Sequence, residues 1–198
     1  MQNDLLTDAA EIGRRAIAMK TPLIVIDGLC GSGKTTLADS LSSMLQAPVV
    51  HMDDFFLPFS LRTPHRLSQP GGNVDYERFE REVLPRIGSG AAFPYGKFHC
   101  SDGTVTPAVC PPARVRIVEG TYSMHPRFMP VWQEMGALTV FASVPAQEQL
   151  RRIALRNPRL LERFEKEWIP MENSYFSAFD VEEAAMIKWT SFTKMSQK

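Results

Sequence analysis

The chain has 198 residues, 44% of them hydrophobic, and 22 Lys plus Arg balance 22 Asp plus Glu. That length suits one domain, 1–198, with a sizeable core. The charge balance argues against nucleic acid or an anionic membrane surface as a partner. Cys30, Cys100 and Cys110 are odd in number and lack metal-ligand spacing, so reduced thiols in a cytoplasmic protein are expected.

The first segment, MQNDLLTDAAEIGRRAIAMK, carries acidic residues early and no long apolar core. It is not a signal peptide, and no run approaches membrane-spanning length. Its pattern predicts an amphipathic helix that buries Leu5, Leu6, Ala9, Ile12, Ala16 and Met19. Behind Pro22, the run Leu23-Ile24-Val25-Ile26 suits a strand buried on both faces, as in a parallel sheet. Next comes GLCGSGKT, from Gly28 to Thr35, which fits the phosphate-loop pattern G-x-x-x-x-G-K-[ST]. Leu37, Ala38, Leu41, Met44 and Leu45 then recur at helical spacing until Pro48.

Strand, glycine loop and helix form the order that phosphate binding requires. Gly28, Gly31 and Gly33, with Ser32 and Thr36 beside them, let backbone N–H groups turn towards phosphate oxygens, and the helix N-terminus adds a favourable field. Lys34 is expected at the β- and γ-phosphates of ATP, and the Thr35 hydroxyl on Mg²⁺. A glycine turn without a ligand is the competing reading. Cys30 lies inside the loop, where a lowered thiol pKa or a plain loop position both fit.

Further strands are expected at 48–51, 115–118 and 138–142, alternating with helical patterns. This predicts an α/β fold with a parallel sheet and ligand groups at the strands' C-terminal ends. Between 58 and 112 prolines, glycines and aromatics concentrate around one helical run, 76–87, and a hairpin closed by Ser101-Asp102-Gly103. Such a segment reads as a substrate-covering insertion. The second strand ends in Asp53-Asp54, and alternation lets only one carboxylate face the phosphates, the other serving to cap the turn. Glu119 ends the third strand, where an acidic group would hold the metal's water shell. Arg151, Arg152 and Arg156 lead into a charged stretch, so 151–170 is either a phosphate-clamping lid or a solvated helix with a complemented dipole. Trp168, Tyr175 and Phe176 suit either core packing or stacking on a base. No N-K-x-D string occurs, so a GTP switch is not expected.

Taken in order, LIVIDGLCGSGKTTLA, HMDDFF, GGNVDYERFE, IVEGTY and QLRRIALRN resemble the uridine kinase and phosphoribulokinase family of P-loop kinases, in particular small bacterial uridine kinase-like proteins. The resemblance implies the P-loop NTPase fold, a three-layer α/β/α sandwich with a parallel sheet, and ATP and Mg²⁺ as cofactors. It makes Asp53 the group that accepts the acceptor hydroxyl's proton and, with Thr35 and Glu119, one of the residues at Mg²⁺, with Phe55 matching the family aromatic. Asp75, in Asn73-Val74-Asp75, would bind ribose hydroxyls, and Tyr95, Phe98 and His99 would surround the acceptor's base, with Glu119 alongside. Arg152 and Arg156 would be lid arginines, and AAMIKW, 184–189, would stand for the last strand. The implied activity is transfer of the γ-phosphoryl of ATP to an alcohol, foremost a nucleoside. Pantothenate, glycerate or a sugar phosphate are alternative acceptors, and a regulatory ATPase acting on a protein is the alternative of another class. Partners are thus ATP and a small-molecule alcohol, with no nucleic acid and no membrane, and self-association into a homo-oligomer is left open.

Overall fold

The computed structural model describes residues 2–191, with side chains described from Leu5 onward. In chain order its elements are α1 (Gln2–Met19), β1 (Leu23–Gly28), α2 (Lys34–Leu45), β2 (Val49–His51), α3 (Pro64–Leu67) and α4 (Tyr76–Glu82). They continue with β3 (Phe93–Phe98), β4 (Val105–Cys110), β5 (Arg116–Glu119), α5 (Met129–Glu134), β6 (Leu138–Ser143) and α6 (Ala146–Arg156). Last come α7 (Leu161–Arg163), α8 (Ile169–Ala178), α9 (Val181–Ala184) and β7 (Ile187–Thr190).

Every residue of β1 is buried, as its unbroken apolar run requires. Its neighbours β5 and β6 run parallel to it, and β2 and β7 extend the sheet to the order β2-β5-β1-β6-β7. Because strand side chains alternate, Ile24 and Ile26 face one way, with Ile117, Leu138 and Val140, and meet Ala9, Ile12, Ala16, Leu37 and Leu41 of α1 and α2. Leu23 and Val25 face the other way, with Val118 and Phe141, towards Phe55, Phe79, Phe128, Trp132 and Tyr175. Helix, sheet and helix thus form three layers. No helix among the described residues is long and apolar enough to cross a membrane.

Three elements depart from expectation. Leu6, Met19 and Met44 are exposed. The contact stripe of α1 is narrow, built on Ala9, Ile12 and Ala16 with Gly13 beside Leu41. The helix expected over 76–87 stops at Glu82, because Pro85 lacks an N–H and disfavours helix at the residue before it. Val83 and Ile87 still reach the core through a turn in which Ile87 N–H donates to Val83. The 151–170 stretch is not one helix: α6 gives way to a 3₁₀ turn, α7 and a π-helical turn at Phe164–Trp168 before α8.

The hairpin forms as expected, with β3 and β4 paired from Phe93↔Cys110 to Phe98↔Val105. Asp102 Oδ1 accepts from Thr104 N–H and its hydroxyl, and Gly103 takes φ 75. Arg78 of α4 holds this hairpin to the turn after β2 by donating to the carbonyls of Gly96 and Asp54.

Gly28 closes β1 where it pairs with Ala142 of β6. A Cβ there would sit 2.0 Å from the Ala142 carbonyl oxygen, and φ is +136°. Gly28→Ala is therefore expected to cost about 4 kcal/mol or more, by clash and backbone strain together. That corresponds to a thermal midpoint lower by roughly 10 °C. Calorimetry checks it, and an unchanged midpoint would mean that β1 and β6 separate freely at this point.

Candidate active site

The loop after β1 takes its shape from three glycines, Gly28, Gly31 and Gly33, at φ 136, 73 and 94. Gly33 precedes α2 with no side-chain cap, and the first turn holds no acidic residue, so its N–H groups have no competing side-chain acceptor. The Ser32 hydroxyl is buried without a hydrogen-bond partner among the described residues. Lys34 is only 8% exposed, and its Nζ donates to the carbonyls of Gly28 and Leu29 at 2.8 and 2.9 Å. Thr35 and Thr36 are exposed on the first turn of α2.

Two buried carboxylates support the loop, and neither was singled out in the sequence. Asp27 accepts from the N–H groups of Gly28, Tyr122 and Met124 and from the Tyr175 hydroxyl, the last two at 2.8 Å. Burial pushes its pKa up to about 6 against the pull of these donors. Glu172 of α8 accepts from Cys30 N–H at 2.9 Å, and burial raises its pKa while Lys34 opposes the rise. A carboxylate ending an apolar strand was a visible signal for Asp27. Nothing local marks Glu172, whose partner lies 142 positions away.

Cys30 is a buried thiol whose pKa burial and Glu172 push up to about 12, so the lowered-pKa alternative fails. Tyr175 is a core residue rather than a base platform. Trp168 meets Phe164 edge-on at 4.5 Å, and Phe176 packs edge-on against Phe141 at 5.2 Å. Leu29, Phe141 and Phe176 border a cavity of about 360 Å³ beside α8.

At the end of β2 the chain enters a 3₁₀ turn, Met52–Phe55. This turn, rather than strand alternation, separates the two aspartates. Asp54 is buried, paired with Lys97 at 3.2 Å and accepting from the Tyr95 hydroxyl at 3.3 Å. Asp53 is open to solvent at the cleft, yet crowded by protein. Desolvation and the Glu119 charge push its pKa up, while Lys34 and His51 pull it down. Glu119 ends β5, buried, directly across from His51 in register. His51 Nδ1 donates to Glu119 Oε1 at 2.6 Å, a bond that raises the histidine's pKa, and Thr35 Oγ1 lies 3.4 Å from the same oxygen. Lys34, Thr35, Asp53 and Glu119 therefore converge at the C-terminal ends of β1, β2 and β5.

The residues expected at the acceptor are less closely grouped. Asp75 caps α4 by accepting from Arg78 N–H, and it accepts from Arg78 Nε at 3.2 Å. Its own N–H donates to Phe55, and its side chain borders a cavity of about 560 Å³ lined also by Leu57, Leu61, His65 and Arg66. Tyr95 stacks on Phe55 at 5.7 Å, whereas Phe98, three positions on, is buried and meets Phe59 edge-on. Tyr95 and Phe98 thus lie on opposite faces of β3. His99 stands at the hairpin tip, bonded to Thr106 Oγ1 at 2.8 Å. Of the arginines, Arg152 donates to the Gly31 carbonyl at 3.2 Å and to Ser191 Oγ at 2.7 Å. Arg151 pairs with Glu148 at the surface, and Arg156 is exposed at the last position of α6.

No family model matches the chain, and no curated protein matches its sequence. Solved structures do. A possible uridine kinase from Bacillus stearothermophilus aligns over 96% of this chain and 100% of its own, with a TM-score of 0.68 at 17% identity. YFH7 from Saccharomyces cerevisiae, described as a candidate P-loop containing kinase with a circular permutation, covers 89% of this chain and 95% of its own, with a TM-score of 0.66 at 12% identity. TT1252 from Thermus thermophilus gives 0.50 over 88% and 90% of the two chains, at 16% identity. With its parallel sheet, its phosphate loop and this likeness together, the chain has the three-layer fold of the uridine kinase-like P-loop kinases.

Proposed function

We propose that the protein is a Mg²⁺-dependent kinase that moves the γ-phosphoryl of ATP to an alcohol of a small molecule, with a nucleoside as the leading acceptor class. The observation that carries this reading is the meeting of Lys34, Thr35, Glu119 and Asp53 in one cleft above an uncapped helix N-terminus. The site suits the implied cofactors. Uncapped N–H groups and the unpartnered Ser32 hydroxyl are what polyphosphate oxygens engage. No group of three or more His, Cys, Asp or Glu among the described residues could hold a metal alone. Mg²⁺ held by one carboxylate, a hydroxyl, water and phosphate needs none.

When bound, ATP would supply the phosphoryl group and leave as ADP, and Mg²⁺ would offset the phosphate charge. Lys34 would exchange the carbonyls of Gly28 and Leu29 for phosphate oxygens, and Thr35 and Glu119 would hold the metal directly or through water. Asp53 orients the acceptor hydroxyl and takes its proton. Residues 58–112 cover the acceptor, with Asp75 and Tyr95 contributed from that segment, and 151–170 act as the lid. Support for a nucleoside comes from the motif resemblance, in which Asp75 meets the ribose hydroxyls.

The test is ADP release with Mg²⁺ present, screened across nucleosides, pantothenate, glycerate and sugar phosphates. Stimulation by one alcohol, with stoichiometric phosphorylated product, is expected. Slow ATP hydrolysis indifferent to every alcohol would sink the kinase reading in favour of a regulatory ATPase. Within this scheme Arg152 and Arg156 separate. Arg152→Ala is expected to lower turnover at least tenfold and the thermal midpoint modestly, because Arg152 also braces the loop. Arg156→Ala should leave the midpoint alone, and any loss it causes should be confined to turnover. Parallel melting curves and steady-state rates check both.

A further inference from the structure

We propose that His51 is a positioning residue that fixes the Glu119 carboxylate for the metal, a role that rests on the phosphotransferase reading above. His51 is the last residue of β2 and stands opposite Glu119, the last residue of β5, in parallel register. The contact is short, 2.6 Å from Nδ1 to Oε1, and Glu119 is almost wholly buried. An ionised carboxylate has no proton to give, so the proton in this bond sits on Nδ1. The bond fixes one carboxylate oxygen by a ring with few rotamers, mounted on a strand rather than a loop. The same oxygen is the one nearest Thr35 Oγ1, at 3.4 Å, with Oε2 at 3.5 Å. That leaves the carboxylate facing the hydroxyl at the loop's end, where Mg²⁺ would be shared between the two.

Without His51, the Glu119 side chain keeps its place in sequence but loses its orientation. Partners of this kind, one bond away from a metal ligand, typically change metal affinity by about 10–100-fold when removed. A purely structural role would instead be to hold β2 against β5, a task already served by the backbone pairing of Val49, Val50 and His51 with Ile117, Val118 and Glu119. The two roles predict different losses.

The geometry also supplies its own control. The amide nitrogen of Asn stands close to where Nδ1 of His stands, while that of Gln mimics Nε2. His51→Asn can therefore keep the bond to Glu119, and His51→Gln loses it. The experiment is ADP binding by calorimetry, with and without Mg²⁺, for wild type and both variants, alongside their melting curves. In wild type Mg²⁺ should tighten ADP binding. His51→Gln should lose about tenfold of that tightening, with ADP affinity in EDTA unchanged, and His51→Asn should stay within about threefold of wild type. If His51→Gln retains the full Mg²⁺ effect, or His51→Asn loses as much as His51→Gln, the positioning role is overturned. An equal loss of affinity with and without Mg²⁺ also overturns it, because the loop itself would then be disturbed. If wild type shows ADP binding with no Mg²⁺ effect, the metal-dependent kinase reading falls first and takes this role with it.

Discussion

Asp53→Asn is expected to leave ATP binding intact and to lower transfer to the acceptor by about a hundredfold to ten-thousandfold, the usual worth of a positioned general base. The substitution keeps size and polarity and removes the charge. The acceptor hydroxyl has a pKa far above neutrality, so a carboxylate that takes its proton late in the transfer has no substitute in an amide. Asp53 is open to solvent and makes no ion pair among the described residues, so the fold should tolerate the change. Because the surrounding protein desolvates the carboxylate and Glu119 repels its charge, its pKa is raised in the free enzyme, and the acid limb of kcat/KM should lie above the ordinary carboxylate range. Activity should rise with pH through that limb, since only the ionised form accepts a proton, and the variant should lack the limb. Asp54→Asn is the comparison. It weakens the pair between buried Asp54 and the half-exposed Lys97, so it should lower stability by only about 1 kcal/mol and affect transfer only through the hairpin. The measurement is acceptor-dependent ADP release at saturating Mg²⁺, with melting curves for both variants. If Asp54→Asn is the inactive, stably folded variant, the base has been assigned to the wrong aspartate.

Lys34→Ala is expected to abolish productive turnover, by at least about a hundredfold, through loss of a charge-assisted contact to the transferring phosphoryl. It also carries a cost to the fold. Lys34 is nearly buried and closes the loop on itself through the carbonyls of Gly28 and Leu29, so its removal leaves two carbonyls without their donor and takes away the positive charge that opposes the raised pKa of Glu172 and Asp53. A loss of about 1–3 kcal/mol in stability should accompany the loss of rate. Turnover near the wild-type level in a folded Lys34→Ala protein would remove the phosphate loop from the chemistry.

What the sequence made legible was local in origin. An apolar tetrad, a glycine loop and an i, i+4 leucine pattern define β1, the loop and α2 within one window, so their order could be read directly. The hairpin was equally plain, because Asp102 and Gly103 carry their turn chemistry in themselves. His51 and Glu172 are illegible for the opposite reason, each owing its significance to a partner 68 or 142 positions away that only the assembled fold brings near. The helix overrun at 76–87 was avoidable, since Pro85 was in view. Separating Asp53 from Asp54 by alternation assumed a strand where the chain had already turned into a 3₁₀ helix.

The sheet order has a consequence for how the molecule comes into being. β1, the central strand, pairs only with β5 and β6, and Trp189 Nε1 donates to Asp8 across a separation of 181 positions. No two neighbouring strands of the main sheet up to β6 are consecutive in the chain. A ribosome therefore releases β1 and its glycine loop long before either neighbour exists, and the apolar strand must wait unpaired through the synthesis of the whole 58–112 segment. Closure entropy of this kind slows folding and prolongs exposure of adhesive edges. Refolding slower than that of a helical protein of equal length, with or without nucleotide, is the outcome this topology leads one to expect.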